Sequence, residues 1–313
     1  MSELLITKHI PDMYARAARL FAQRPAFATR VKGTTDWQSI TFQELYETGL
    51  DLATALIDLG VKARDHVALL ADNRLEWIIA DYGIQLCGAA DVPRGTDVTD
   101  MDIQYILPHS EAKVVFVEHL EMLKKLDKNK RKLSKIKHII LMEKSAKAPK
   151  NVLSMYDLID KGRAMRARGN KKAEERIAGI KPDDLFTLIY TSGTTGAPKG
   201  VMLTHANICS QFKHEIVPLN DHDRILSILP VWHIFERGFE MLAISRGCCT
   251  YYTNVRSLGE DIKLVKPTFM GSAPRLWESI YLKIMDGVKS ASPVKRGMFR
   301  AAYFCSRMFQ GSL

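Results

Sequence analysis

The sequence holds little that would tie it to a secreted, membrane-spanning or metal-centred protein. Its five cysteines, Cys87, Cys209, Cys248, Cys249 and Cys305, are odd in number and show no C-x-x-C spacing. That argues against a disulfide framework or a thiolate metal site and for reduced thiols. The opening Met1-Ser2-Glu3-Leu4-Leu5 has neither the basic nor the apolar region of a secretory signal, and the expected location is cytoplasmic. The most apolar stretch, Trp77 to Ala90, is interrupted by Asp81 and is too short to span a bilayer. No repeat of fixed period is visible. Neither G-x-G-x-x-G nor G-x-x-x-x-G-K-S/T occurs, so neither a dinucleotide fold nor the common P-loop is supported.

What is present is a globular composition, with 46% hydrophobic and 26% charged residues over 313 positions. These proportions supply a substantial core and exclude wholesale disorder. The net charge of +10 is regional: residues 113–181 hold 20 Lys or Arg against 8 Asp or Glu, and the remainder is close to neutral. Such a run reads as a solvated face, or as a surface for an acidic protein or an anionic membrane. It lacks the interleaved aromatics of a nucleic-acid stacking platform, so no specific nucleic acid is expected.

Short β-branched runs alternate with segments of helical period. Strands are expected at 66–70, 114–117, 138–142, 185–190, 225–229, 250–253 and 268–270. Helices are expected at 41–59, 74–86, 204–215, 236–245 and 274–288. This alternation predicts an α/β fold with mostly parallel sheets. Residues 144–181, rich in Lys, Arg, Ala and Gly, read as an exposed excursion joining two halves, 1–180 and 181–313. Ser292-Pro293 opens a helical segment whose Met298, Phe299, Tyr303, Phe304, Met308 and Phe309 have no following chain to cover them, which suggests a chain cut short.

The chemistry concentrates in residues 184–205. An apolar strand runs into Thr191-Ser192-Gly193-Thr194-Thr195-Gly196-Ala197-Pro198-Lys199-Gly200, and Thr204 offers an N-cap to a following helix. Glycines at 193 and 196 permit positive φ and close backbone approach. Hydroxyls and loop N–H groups offer donors to a polyanion, and Lys199 adds a mobile positive charge. These are the parts of a triphosphate cradle.

From Tyr190 to Gly200 the string resembles the phosphate-binding signature of the adenylate-forming (AMP-binding) enzymes. Thr41-Phe42-Gln43-Glu44-Leu45, the stretch from His66 to Pro93, Leu229-Pro-Val-Trp-His-Ile-Phe-Glu-Arg237 and Lys266-Pro-Thr-Phe-Met-Gly-Ser-Ala-Pro-Arg275 resemble the long-chain acyl-CoA synthetase and acyl-carrier-protein synthetase subgroup. The resemblance implies two stacked α/β subdomains of the N-terminal domain, stopping before the C-terminal lid domain. It also implies a ligase in which a fatty-acid carboxylate attacks the α-phosphorus of ATP with Mg²⁺ present, and a thiol of CoA or of a carrier protein's phosphopantetheine then takes the acyl group.

In that reading Ser192, Gly193, Thr194, Thr195, Gly196 and Lys199 hold the phosphates, and Thr191 helps to bind Mg²⁺. His233 stands beside the bound carboxylate, or is a satisfied structural histidine. Glu236 and Arg237 read as an ion pair or a cap. The stripe Leu276, Ile280, Ile284 and Val288 reads as core, or as part of an acyl tunnel. No Tyr-Gly-x-Thr-Glu segment is present, so the chain is expected to be inactive alone. The alternatives are an acyl-carrier-protein acceptor, a non-catalytic nucleotide-binding or scaffold protein, and a peripheral membrane binder.

Overall fold

The computed structural model describes residues 7–31, 33–144, 147–191, 196–212 and 217–310. Its contacts divide the chain into Met1–Gly271 and Ser272–Leu313. In the first unit the elements run α1 (Ile10–Leu20), β1 (Pro25–Arg30), β2 (Trp37–Thr41), α2 (Phe42–Asp58), β3 (His66–Leu70), α3 (Leu75–Leu86), β4 (Ala90–Arg94), α4 (Asp100–His109), β5 (Val114–Val117) and α5 (Leu120–Lys128). They continue with a 3₁₀ turn (Lys130–Lys132), β6 (His138–Leu141), β7 (Leu153–Ser154), α6 (Met155–Ala167), α7 (Lys172–Ala178), β8 (Leu185–Thr191), β9 (Lys199–Thr204), α8 (His205–Ser210), β10 (Arg224–Ser227), α9 (Ile234–Arg246), β11 (Cys249–Tyr252) and α10 (Leu258–Val265).

The strands form a seven-stranded sheet, β7-β6-β5-β3-β4-β8-β9, and a four-stranded sheet, β10-β11-β1-β2. All pairings are parallel except β8–β9 and β1–β2. This is the α/β architecture expected. Both sheets draw on chain from either side of residue 181, because β8 and β9 extend the sheet begun by β3, while β10 and β11 join β1 and β2.

The alternation of side chains along β3 shows how the layers are built. Val67 and Leu69 enter one core with Trp77 and Ile78 of α3, and with Phe27, Ile225 and Tyr252 of the smaller sheet. Ala68 and Leu70 enter a second core with Ile103, Ile106 and Leu107 of α4. The seven-stranded sheet is therefore covered on both faces, as a parallel sheet must be, and its all-apolar β5 (Val-Val-Phe-Val) is buried at every residue. The chain moves from β3 outward to β4, then crosses back over β3 to β5 on the opposite face. That reversal puts the topological switch point of the sheet between β3 and β5.

Caps fix the helix starts. Thr41 and Glu44 form a capping box on α2, and Thr99 with Asp102 and Thr204 with Asn207 do the same on α4 and α8. Among the described residues no helix is long and apolar enough to cross a membrane.

The segment 144–181 is not an exposed excursion. It supplies the edge strand β7 and the helices α6 and α7. Helix α6 lies so close to α2 that a Cβ on Gly162 would sit 1.8 Å from the Asp51 carbonyl oxygen. Much of its positive charge is also met. Six cations of residues 113–181 pair with acids that precede the segment: Lys113 with Asp65, Lys128 with Asp100, Lys135 with Glu111, Lys161 with Asp58, and Arg163 and Arg166 with the buried Asp51.

The second unit holds α11 (Pro274–Lys289) and α12 (Pro293–Gln310). No residue of α11 is buried, so the Leu276–Val288 stripe is not core here. Two helices alone are too small to cover two apolar faces, and Ile284, Met298, Tyr303, Phe304, Met308 and Phe309 are all exposed.

Candidate active site

Strand β8 carries the phosphate-loop motif into place. Phe186, Thr187, Leu188, Ile189 and Tyr190 are buried, and the chain reaches the surface at Thr191. The chain then turns back as β9, not directly into a helix. Thr191 pairs with Lys199 and Tyr190 with Gly200 across the antiparallel ladder. Thr191 and Lys199, paired across the ladder, are both exposed at the C-terminal end of β8. Gly196 has φ of 141°, the conformation expected to require glycine there. Ser192, Gly193, Thr194 and Thr195 lie outside the described residues. Lys199 has no acidic partner among the described residues, unlike the paired lysines of 113–181.

The Tyr190 end of β8 is anchored twice: its hydroxyl meets His109 Nδ1 at 2.6 Å, and its carbonyl accepts from Arg94 Nη1 at 3.2 Å. Arg94, at the end of β4, also lies 5.3 Å from the centre of the Trp232 ring. Trp232 in turn packs against Gly95, where a Cβ would fall 2.5 Å from its Nε1. One arginine therefore joins the base of the phosphate loop to the turn that carries His233.

Asn73, just after β3, holds that turn from below. Its Nδ2 donates to the Leu229 carbonyl at 2.8 Å and its Oδ1 accepts from Val231 N at 3.0 Å. His233 is exposed and caps α9, with Nδ1 accepting from Phe235 N at 3.4 Å. No bond to its Nε2 occurs among the described residues.

Below this edge α9 carries buried charge. Arg237 does not pair with Glu236. Its guanidinium meets Asp91 at 2.8 and 2.9 Å, Thr187 Oγ1 at 3.1 Å, and Asp81, all in the fully buried interior. It also lies over Phe186, 4.2 Å from the ring centre. Arg237 thereby ties α9 to α3, β4 and β8. Burial raises the pKa of both aspartates, and Arg237 pulls each the other way. Glu236 is 1% exposed, and burial pushes it up to about 7. Glu240, one turn on, is also raised by burial and by Glu236. Ser227 Oγ donates to Glu240 at 3.3 Å.

An apolar cavity of about 640 Å³ lies between α8 and α9, lined by Leu203, Ile208, Phe212, Ile234, Phe239 and Leu242 among others. It adjoins His233 through Ile234 and Phe235, and its size suits a small-molecule ligand. This cavity is not legible in sequence, since its lining comes from two segments, 203–212 and 234–242. Arg94 and Asn73 are not legible either, because the bonds of Asn73 reach more than 150 residues along the chain.

Mg²⁺ needs few protein ligands when phosphate oxygens and water complete its shell. The exposed Thr191 hydroxyl at the mouth of the loop fits such a minor share. No group of three or more metal-ligating acids, histidines or cysteines exists among the described residues.

Comparison with known proteins agrees with this geometry. The family model described as AMP-binding enzyme matches residues 14–306. The chain is 33% identical over 296 residues to the chloroplastic long-chain-fatty-acid–acyl-carrier-protein ligase AEE15 of Arabidopsis thaliana, covering 91% of this chain and 40% of that protein. It is 30% identical over 307 residues to the human long-chain-fatty-acid–CoA ligase ACSBG2, covering 95% and 45%. The chain thus spans less than half the length of these relatives. The crystal structure of a long-chain-fatty-acid-CoA ligase from Archaeoglobus fulgidus shares the fold with a TM-score of 0.75 at 22% identity, covering 91% of this chain and 55% of that one.

Proposed function

The chain belongs to the AMP-binding enzyme family, and from that premise we propose that it carries the phosphate-binding and acyl-binding part of a long-chain fatty acid ligase. The observation that supports this most directly is the pairing of Thr191 with Lys199 at the C-terminal end of β8. It presents together one hydroxyl and one ammonium group that has no acidic partner among the described residues.

In this reading the fatty acid lies with its chain in the α8–α9 cavity and its carboxylate near His233. The carboxylate oxygen attacks the α-phosphorus of ATP, pyrophosphate leaves, and an acyl-adenylate forms. A thiol, of CoA or of a carrier protein's phosphopantetheine, then takes the acyl group and releases AMP. The first step brings an anion towards a polyanion, so fixed positive charge and N–H donors supply the main help. Lys199 neutralises the phosphates and the departing pyrophosphate, together with Ser192, Gly193, Thr194, Thr195 and Gly196. Arg94 and Asn73 position the two halves of the site. Thr191 would contribute one ligand to Mg²⁺, which screens phosphate charge when bound.

The test separates the two ligands. MgATP and pyrophosphate binding by calorimetry should weaken about tenfold or more in Lys199→Ala, as loss of a charge-assisted contact implies. Displacement of a fluorescent fatty acid should change by less than about twofold. Equal losses for both ligands, or none for either, would overturn the assignment.

A further inference from the structure

Folding sorts the basic run into two populations. One population is neutralised by Asp51, Asp58, Asp65, Asp100 and Glu111 in six ion pairs. The other population stays unmet: Lys130, Arg131, Lys132, Lys137, Lys147 and Lys150 have no acidic partner among the described residues. Three of these, Lys130, Lys137 and Lys150, line one groove of about 330 Å³ between the end of α5, the start of β6 and the segment before β7.

The groove is amphipathic. Leu126 and Leu133, both buried, and the half-buried Ile139 and Val152 give it an apolar floor. The three lysines are exposed, and Asp127 is the single acid along its lining. Arg131 and Lys132, in the adjoining 3₁₀ turn, extend the positive field.

We propose that this groove docks an acidic protein helix that presents one apolar side chain among its carboxylates. Charge complementarity favours an anionic partner, and shape selects its class. A membrane-inserting surface needs projecting apolar groups, yet none of the apolar residues lining the groove is among the strongly exposed ones. The apolar atoms lie at the floor, where only a protruding side chain reaches them. Nucleic acid lacks a stacking surface, since no aromatic residue lines the groove. The inference is independent of the nucleotide reading, because none of these residues belongs to the phosphate loop.

The experiment uses the whole 313-residue chain and a fluorescein-labelled, Glu-rich helical peptide with a central leucine, at low salt. Fluorescence anisotropy is measured for wild type, for Lys130→Glu/Lys137→Glu/Lys150→Glu, and for a control of equal charge, Arg168→Glu/Lys171→Glu/Lys181→Glu. All six positions are exposed, and thermal melts check that each variant folds. Wild type should bind, the groove variant should weaken about tenfold or more, and the control should stay within about threefold. No binding by wild type, or equal loss in both variants, overturns the proposal. So does binding to phosphatidylglycerol vesicles that the groove variant abolishes while the peptide stays unbound.

Discussion

Arg237 and Lys199 sit on α9 and β9, which both border the apolar cavity, and the fold treats them oppositely. Arg237, beneath α9, is fully buried and meets Asp81 and Asp91. Lys199, at the start of β9, is exposed and meets no acid among the described residues. A buried cation without a partner would cost several kcal/mol, so the interior supplies one. An exposed cation costs nothing to leave free, so it remains available for an anion arriving from solution. The same division runs through the basic segment, where α6 uses Arg163 and Arg166 to hold Asp51 while the groove lysines stay unmet. Charge inside the protein holds elements together, and charge at its edge stays open to solvent.

The largest test of this contrast is Arg237→Met. It strands two aspartates in the interior and should destabilise the protein by about 3–5 kcal/mol, read by urea unfolding. A loss below about 1 kcal/mol would mean that the aspartates already carry protons, and the contrast would fail.

Next comes Glu236→Gln. Burial raises the carboxyl to about 7 from its ordinary 4.5, so the folded state binds the proton more tightly than the unfolded chain. Its contribution is full below pH 4.5 and declines as pH rises towards 7, by an amount on the order of 3 kcal/mol. Gln cannot lose a proton, so the variant should gain on wild type in melting temperature between pH 5 and pH 7.5. A gap that stays constant with pH would show that Glu236 is ionised in the fold.

The smallest effect is expected of Lys199→Ala on stability, within about 0.5 kcal/mol in the same urea experiment. A larger loss would reveal a structural role and narrow the difference between the two cations.

How much of this was legible in the sequence follows from where each signal resides. Strands β3, β5 and β6 were legible because burial on both faces writes a continuous apolar run into adjacent residues. Strand β4 was not, because Pro93 argues against a central strand. It is tolerated because β4 is registered with β8 only at Asp91 and Thr187, before the proline is reached. Strand β9 was hidden by its Lys-Gly start and its exposed face. The Thr191–Gly200 string stands out because its Thr, Ser, Gly and Lys are contiguous, although residues 192–195 lie outside the described ones. Arg94 was not, since its bond to Tyr190 joins residues 96 positions apart and only the sheet order brings them together. The Arg237 partnership was misread for the same reason: Glu236 is its neighbour in sequence, while Asp81 and Asp91 are its neighbours in space.

The sharing of the small sheet between the chain's first strands and much later ones bears on how the molecule is made. Strands β1 and β2 can pair with each other early, but β1 takes its parallel partner from β11, which begins at Cys249. A ribosome adding roughly 5–20 residues per second takes on the order of 10–40 s to cover the roughly 200 residues between them. During that interval Phe27 and the apolar side of α1 wait for their cover while the neighbouring β3–β6 layer already has its strands. Residues 25–41 are thus made well before the strand that completes their sheet.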